Sequence, residues 1–201
     1  TGFCHKSFSD FGADVSGGGL DNVLVAYNTF WGSTDTAIAL ESESAKTRNT
    51  RFLNNIIQQP SGDNITMTRS AGITFNNNFW VNTPPADPNA SGSNDKTGNV
   101  QMLTTPGYSP TTYRLGAGSP AIDGAQTIVG IADDYEKKKR PIGALSDMGA
   151  IEFGQALTGV PTATFTPSPT ITPSTSPTIG VSGQPTATST PISEAGSFSP
   201  K

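Results

Sequence analysis

The chain has 201 residues, of which only 33% are hydrophobic and 14% are charged, and its formal net charge is −4. Average domains are about 45–50% apolar, on a scale that counts Gly, and about 25% charged, so this composition excludes a charged helical protein and is unlike a packed α/β enzyme. The negative balance provides no field that attracts nucleic acid. The sequence also contains no apolar run of about 18 residues, so it predicts no transmembrane helix.

The first residues carry little chemistry. The chain begins with Thr1 and shows no secretory signal pattern, so we expect it to be an internal or C-terminal fragment of a longer protein. Cys4 is the only cysteine and predicts no intrachain disulfide. His5 follows it directly, but a Cys–His nucleophile is defined by spatial arrangement, and adjacency in sequence does not predict one.

Three stretches of the chain resemble one another. They are Val25-Ala-Tyr-Asn-Thr-Phe-Trp31, Phe52-Leu-Asn-Asn-Ile-Ile-Gln58 and Thr74-Phe-Asn-Asn-Asn-Phe-Trp80, at offsets of 27 and then 22 residues. All 13 asparagines of the chain lie between Asn22 and Asn99, around these repeats. Periods of about 20–30 residues are typical of solenoids, in which each repeat buries its face against its neighbours.

The aligned columns predict which side chains point inward. One column holds Ala26, Leu53 and Phe75, and another holds Phe30, Ile57 and Phe79. A third column lies midway between these two, so its side chains are predicted to point to the same side of the strand. It holds the asparagines of a predicted ladder: Asn28, Asn55 and Asn77. A lone buried amide costs about 1–3 kcal/mol when it is unpaired, but amides on strands stacked about 4.8 Å apart can bond to one another. We therefore predict an asparagine ladder at a bend in a coil of parallel strands.

Other architectures fit the repeats less well. Leucine-rich repeats share the period, but their spaced leucines are missing here. A β-sandwich would give alternating strands without a fixed asparagine column. Chance pairing of asparagines in loops is the remaining alternative. A right-handed parallel β-helix is the architecture that the pattern favours.

Two tryptophans stand at equivalent places in the repeats. Trp31 and Trp80 are predicted, by parity, to point away from the interior side chains Phe30 and Phe79. Aromatic rings stack on the apolar faces of sugars, so an exposed pair would form a carbohydrate platform. The long excursion from Asn82 to Met102 offers the competing interpretation, which we favour, that both rings are covered.

The stretch after this excursion contains a spaced set of turn and charged residues. It comprises Tyr113-Arg-Leu-Gly-Ala-Gly-Ser-Pro-Ala-Ile-Asp123, Arg140-Pro-Ile-Gly143 and Asp147-Met-Gly-Ala-Ile-Glu-Phe153. Arginine and carboxylates at these positions predict a buried or half-buried ion-pair cluster that fixes loop geometry. We expect Asp123, Arg140, Asp147 and Glu152 to form a structural clasp over the open end of the coil rather than a catalytic site.

The repeats and this last motif together resemble a known group of proteins. The repeats resemble the coils of secreted right-handed parallel β-helix proteins of the pectate-lyase-like superfamily. The spaced set at 113–153 resembles the end module of bacterial β-helix proteins described as having a choice-of-anchor domain. That family pattern has an Asp-Gly pair before the Arg-Pro, where this chain has Asp133-Asp134-Tyr135-Glu136. The resemblance covers residues 22–153.

The resemblance implies where to look for chemistry. Lyases of this superfamily use a Lys or Arg base and often calcium-binding carboxylates on one sheet. Candidate carbohydrate contacts of the right types are Asp35, Glu41 and Lys46, together with the two tryptophans. The stretch Thr36-Ala-Ile-Ala-Leu-Glu41 is predicted to be a strand whose outward carboxylates face a groove, although exposed coil surface explains the same residues.

A second acidic group lies in the end module. Asp133, Asp134 and Glu136 supply closely spaced oxygen ligands of the kind that calcium prefers. The spacing matches neither an EF-hand nor a nonapeptide repeat, so a solvated acidic loop is the favoured interpretation and no cofactor is predicted. The basic run 137–140 would bind an acidic polysaccharide or, more simply, neutralise the preceding acids.

The last quarter of the chain has a different composition. From Thr158 to Ser193, 24 of 36 residues are Thr, Pro or Ser, and only Glu194 and Lys201 are charged after Gly154. Such a segment cannot bury enough apolar surface to offset the entropy of ordering it. We predict an extended linker of the kind found outside cells, with a further domain or anchor beyond it.

The predicted organisation is therefore all-β. It consists of right-handed β-helix coils at 1–82, a loop and end-capping module at 83–153, and a disordered Pro/Thr/Ser-rich linker at 154–201. The function expected by fold analogy is that of a C-terminal segment of an extracellular or cell-surface protein that binds or processes polysaccharide or cell-wall glycan. The segment itself is expected to lack the active site, which leaves open whether the parent is an enzyme. A structural or adhesive surface stalk is the alternative.

Overall fold

The structure is a computed structural model that describes residues 6–10, 18–43, 45–104, 107 and 109–154. These residues form ten short strands. The strands are β1 (Lys6–Asp10), β2 (Leu24–Ala26), β3 (Thr29–Trp31), β4 (Thr36–Leu40), β5 (Thr50–Leu53), β6 (Ile56–Gln58), β7 (Ile65–Met67), β8 (Ile73–Asn76), β9 (Phe79–Val81) and β10 (Lys96–Gly98). Two 3-10 helices, Pro88–Ala90 and Pro110–Tyr113, lie in the connections. The linker predicted at 154–201 lies, apart from Gly154, outside the described residues.

The strands stack into three parallel sheets. The first sheet has the order β1-β4-β7, the second β2-β5-β8, and the third β10-β9-β6-β3. Three successive coils each contribute one strand to each sheet, β10 adds a fourth strand to the third sheet alone, and all the strand pairs named here are parallel. The chain is therefore a parallel β-helix, as the repeats predict. Among the described residues, no helix has the length and apolar character needed to cross a bilayer.

The register corrects one of the two predicted offsets. Phe30 pairs with Ile57 at the predicted offset of 27, but Ile57 pairs with Trp80, so the second offset is 23 and not 22. Side chains alternate along a strand, so a one-residue shift exchanges the inner and outer faces. The predicted columns that end in Phe75 and Phe79 are therefore wrong.

The inner columns form the core of the coil. Val25, Phe52 and Phe75 face inward from the second sheet, and the Phe52 and Phe75 rings stack with centroids 4.8 Å apart. Trp80 is also interior and fully buried, so its predicted place on the outer face is wrong. These rings pack together with aliphatic side chains, among them Ile38, Leu40, Ile57 and Ile65, in one core cluster that runs from coil to coil.

An asparagine ladder runs along the bend between the second and third sheets. The Nδ2 amide of Asn28 donates to Oδ1 of Asn55 at 3.0 Å, and that of Asn55 donates to Oδ1 of Asn78 at 3.0 Å. The same oxygens accept the backbone N–H groups of Asn28 and Asn55. Asn78 therefore takes the place predicted for Asn77, as the offset of 23 requires.

Asn77 belongs to a second column one residue earlier. Tyr27, Asn54 and Asn77 all have left-handed backbone conformations, with φ of 56°, 59° and 58°. Asparagine tolerates this conformation better than most residues. Nδ2 of Asn77 donates to Oδ1 of Asn54 at 2.9 Å. Each bend therefore carries one residue that makes the turn and one that joins the inner ladder.

A second hydrophobic cluster lies on the outer face of the third sheet. Ile56 and Phe79 point outward there and pack against Leu115 and Met148 of the end module. The outer face of this sheet is thus buried by the module, which places the module along the side of the coil. These contacts lie on the sheet face, whereas the sequence predicts a module over the open end of the coil.

Candidate binding groove

The end module is attached to the turn column of three successive coils. The Tyr27 hydroxyl and the Asn54 amide both donate to the carbonyl oxygen of Gln126, at 2.8 and 2.9 Å. One coil further on, the Asn77 amide donates to the carbonyl oxygen of Gly124 at 2.7 Å. The turn residues therefore form a hydrogen-bonding edge for the module, which holds it at a fixed position along the coil.

A buried ion pair organises the module itself. Nη1 of Arg140 lies 2.5 Å from Oε1 of Glu152, and both side chains are 1% exposed. Arg140 also donates to the carbonyl oxygens of Asp147 and Gly149, and its guanidinium carbon lies 4.4 Å from the centroid of the Tyr27 ring. The arginine thus connects the module to the first of the three coils as well as closing its own loop.

Two carboxyl groups of this cluster have shifted pKa values. Burial raises the pKa of Asp147 above its ordinary value, and it outweighs the lowering effect of the N–H donors of Phe153 and Asp123. Burial likewise raises the pKa of Glu152, although the Asp147 N–H donor and the Arg140 charge oppose it. Both buried carboxyl groups therefore favour the protonated form more than they would in water.

The four predicted clasp residues do meet. Oδ1 of Asp147 accepts the Asp123 N–H at 2.8 Å, while Oδ1 of Asp123 accepts the Leu145 N–H at 2.8 Å. Oε1 of Glu152 accepts the Asp147 N–H at 2.9 Å. Each carboxylate is engaged with backbone donors of the loops. The contacts are those of a loop-fixing network and leave its arginine buried away from solvent.

An open groove lies between the first coil and the module. One wall consists of Asn28, Thr29 and Phe30 from the coil. The other wall consists of Pro110, Tyr113, Tyr135, Ala150 and Ile151 from three segments of the module. The volume of the groove is about 320 Å³, at the lower end of the range of about 300–1,000 Å³ found for ligand pockets.

Contacts across the groove set the separation of its walls. The N–H of Ala150 donates across the groove to Oγ1 of Thr29 at 3.1 Å. Within the module wall, the N–H of Tyr135 donates to the carbonyl oxygen of Ala150 at 2.9 Å. Gly149 lets the module lie this close to the coil. Its backbone has a positive φ of 89°, and its N–H donates to the carbonyl oxygen of Asn54 at 2.8 Å. Tyr135 as a residue remains 64% exposed, so its ring is available to a ligand.

Trp31 lies beside this groove. Its ring and that of Tyr113 make an edge contact with centroids 6.4 Å apart. The tryptophan is half-buried on the outer face of the third sheet, against the second hydrophobic cluster. Trp80, its predicted partner, instead donates its indole N–H to Oδ2 of Asp95 at 2.8 Å inside the coil. The structure therefore does not bring the two tryptophans together as a platform.

The other predicted carbohydrate contacts lie in separate surroundings. Asp35 is exposed in the turn before β4, and Lys46 is exposed in the connection after it. Glu41 is half-buried and lies 2.5 Å from the Lys6 amine. None of these three residues lines the groove.

The acidic residues offered as weak metal candidates are engaged with the protein. Oδ1 of Asp134 accepts the N–H groups of Glu136 and Lys138, and Oδ2 accepts that of Glu152 at 3.1 Å. Glu136 forms an ion pair with Arg114, and Asp133 is exposed. Across the ranges that the structure describes, no three His, Cys, Asp or Glu side chains gather as a metal-binding group.

Sequence reasoning missed the tyrosines of the groove. Tyr113 appears in the sequence only as the first residue of the end motif, and Tyr135 as an interruption of an acidic stretch. The usable signal is that three of the chain's four tyrosines lie at 83–153, and one of them stands in a run of charged residues where an aromatic ring is unexpected. Their distance in sequence from the coil hides their common position.

Comparisons with known proteins add no family to this geometry. No family model matches the chain, and no curated protein matches it. The class that the fold itself defines is a parallel β-helix with an asparagine ladder and a lateral module.

Proposed function

We propose that this chain is a non-catalytic, carbohydrate-binding segment of a secreted β-helix protein, located outside the cell or on its surface. The observation that carries the proposal is the groove between the first coil and the module, where Tyr113, Tyr135 and Phe30 line one continuous space. Tyrosine combines a flat apolar ring with a polar hydroxyl, which suits the mixed apolar and polar faces of a sugar. The groove is open, as a site for a long polymer has to be.

The resemblance of the sequence motifs to known β-helix proteins supports the same function and adds a superfamily to it. The coils resemble the pectate-lyase-like superfamily, and the motif of Arg140, Asp147 and Glu152 resembles a choice-of-anchor end module. The predicted linker after residue 153 would then connect the coil to a further domain or anchor in the parent protein. These statements rest on the likeness of sequence motifs, and the buried engagement of all three charged residues is consistent with a structural role for the motif.

The proposal is tested by binding and turnover assays on the full chain. Affinity electrophoresis in gels that contain single polysaccharides, both neutral and acidic, should show retardation in at least one gel. Reducing-end and unsaturated-product assays on the same polymers should show no turnover. Retardation in none of the gels would contradict the binding function, and turnover would contradict the non-catalytic assignment.

A structural or adhesive stalk is the second candidate. The observation that favours it is one-to-one charge pairing between adjacent coils. Arg48 makes a two-atom contact with Asp21, at 2.9 and 2.7 Å, and Lys6 pairs with Glu41. An enzyme of this fold would place a free base beside several carboxylates on neighbouring rungs. A chain that binds no polysaccharide in the gels but stays folded on prolonged heating would support the stalk.

A further inference from the structure

We infer that the groove takes a neutral glycan, such as a glucan, mannan or xylan segment, and discriminates against polyuronates. This inference rests on the proposed function, since it names the substrate class of the same groove. It departs from the superfamily resemblance, which on its own leads to acidic pectic polymers.

The lining of the groove carries no formal charge. All eight residues that line it are apolar, aromatic, amide or hydroxyl side chains. A uronate placed there would lose hydration of its carboxylate without gaining a cationic partner from the lining, which is unfavourable. A neutral sugar would instead bring hydroxyl groups that need no cationic partner and an apolar face that can lie against the tyrosine rings.

The charged residues that follow the groove lining in sequence also disfavour a uronate. Arg114 follows the groove residue Tyr113 directly and is held in an ion pair with Glu136, with both side chains largely buried. Glu152, which follows Ile151 of the groove wall, is paired in the same way with the buried Arg140, so neither arginine is offered to a uronate in the groove. The whole chain carries a net charge of −4, so its mean field repels a polyanion.

The basic run next to Tyr135 provides the competing attraction for acidic polymers. Lys137 and Lys139 are exposed but do not line the groove. Any binding of polyuronates is therefore expected to depend on these lysines and on low salt, whereas binding of a neutral glycan depends on Tyr135 and is insensitive to salt.

The experiment uses calorimetry on the full chain with cellohexaose, mannohexaose, xylohexaose and hexagalacturonate. At least one neutral hexasaccharide should bind more tightly than hexagalacturonate at about 150 mM salt. Tyr135→Ala should weaken that binding about tenfold, which corresponds to about 1.4 kcal/mol of lost stacking and burial. The matched control is Val129→Ala, since Val129 lies in the same module, is 97% exposed and does not line the groove.

The outcomes separate this inference from the function on which it rests. Preferential binding of hexagalacturonate would overturn the neutral assignment and leave carbohydrate binding in place. Binding of none of the four sugars, together with no retardation in the polysaccharide gels, would overturn both. Neutral binding that Tyr135→Ala and Tyr113→Ala leave unchanged would overturn the assignment to this groove. Circular dichroism of each variant should match that of the parent chain.

Discussion

The carboxylate of Asp95 accepts the backbone N–H of Asn78 at 2.7 Å, and so occupies the fourth position of the asparagine ladder. Asp95 comes directly before β10, whose first residue Lys96 pairs with Phe79, so it stands at the same place in its coil as Asn78 does in the preceding one. Every amide of the ladder donates toward the next coil. A carboxylate accepts bonds without donating any, so it ends this one-directional series.

Replacing the terminal carboxylate tests its role as an acceptor. Oδ2 of Asp95 accepts the Trp80 indole N–H at 2.8 Å and the Gly92 N–H at 3.0 Å. Asp95→Asn would place an NH₂ group against these donors, and we expect a loss of about 1–3 kcal/mol in the free energy of unfolding. Urea denaturation measures it, with Asp63→Asn at an exposed position as the control. Equal stability of the two variants would contradict the acceptor role.

The interior of the ladder provides a second test. Asn55 is fully buried, and its amide donates to Asn78 and to the carbonyl oxygen of Val25 while its oxygen accepts from Asn28. We expect Asn55→Ala to destabilise the fold by about 1–3 kcal/mol, because it leaves interior polar groups unpaired. Thermal and urea unfolding measure the loss. Asn94→Ala, at an exposed asparagine, is the matched control, and a similar effect at both positions would exclude a stabilising ladder.

The close approach of the module to the coil predicts a difference between two glycines. Gly149 and Gly130 have almost the same φ, 89° and 91°, so alanine causes similar backbone strain at both. A Cβ at Gly149 would lie 2.6 Å from Cδ1 of Ile56, whereas one at Gly130 has nothing within 4 Å. We expect Gly149→Ala to cost about 1–3 kcal/mol more than Gly130→Ala in unfolding free energy. Equal losses would place the module further from the coil.

The buried carboxyls predict a pH dependence of stability. Because burial raises the pKa of Asp147 above its ordinary value, the folded state holds this proton more tightly than the unfolded chain. Its stabilising contribution is therefore fully present below the ordinary pKa of about 4 and is lost as pH rises through the raised folded pKa.

The measurement compares the parent chain with Asp147→Asn between about pH 4 and about pH 8. The stability of the parent relative to the variant should decline as pH rises, since only the parent has the titrating group. Val129→Ala, at a 97% exposed side chain without charge, should give a difference that does not change with pH. A difference for Asp147→Asn that grows with pH would reverse the sign of the argument.

Only part of the candidate site can be predicted from the sequence. The four charged residues of the end motif are predicted as one cluster and do lie together, because an arginine and carboxylates in a loop-rich, glycine-containing stretch have few other ways to be satisfied. The groove residues Tyr113 and Tyr135 were not predicted as a site. Their proximity to Phe30 depends on the packing of the module against the coil, which leaves no periodic trace in the sequence.

The sequence by itself determined the class of fold and the existence of an asparagine ladder. Repeats that carry asparagine between apolar residues are compatible with stacked parallel strands, in which each interior amide finds a partner on the next coil. The tertiary structure decided which asparagine joins the ladder, which tryptophan is interior and where the module lies. A run of three asparagines, Asn76 to Asn78, permits two registers that differ by one residue, and only the packing of Phe75 and Trp80 into the same core selects between them.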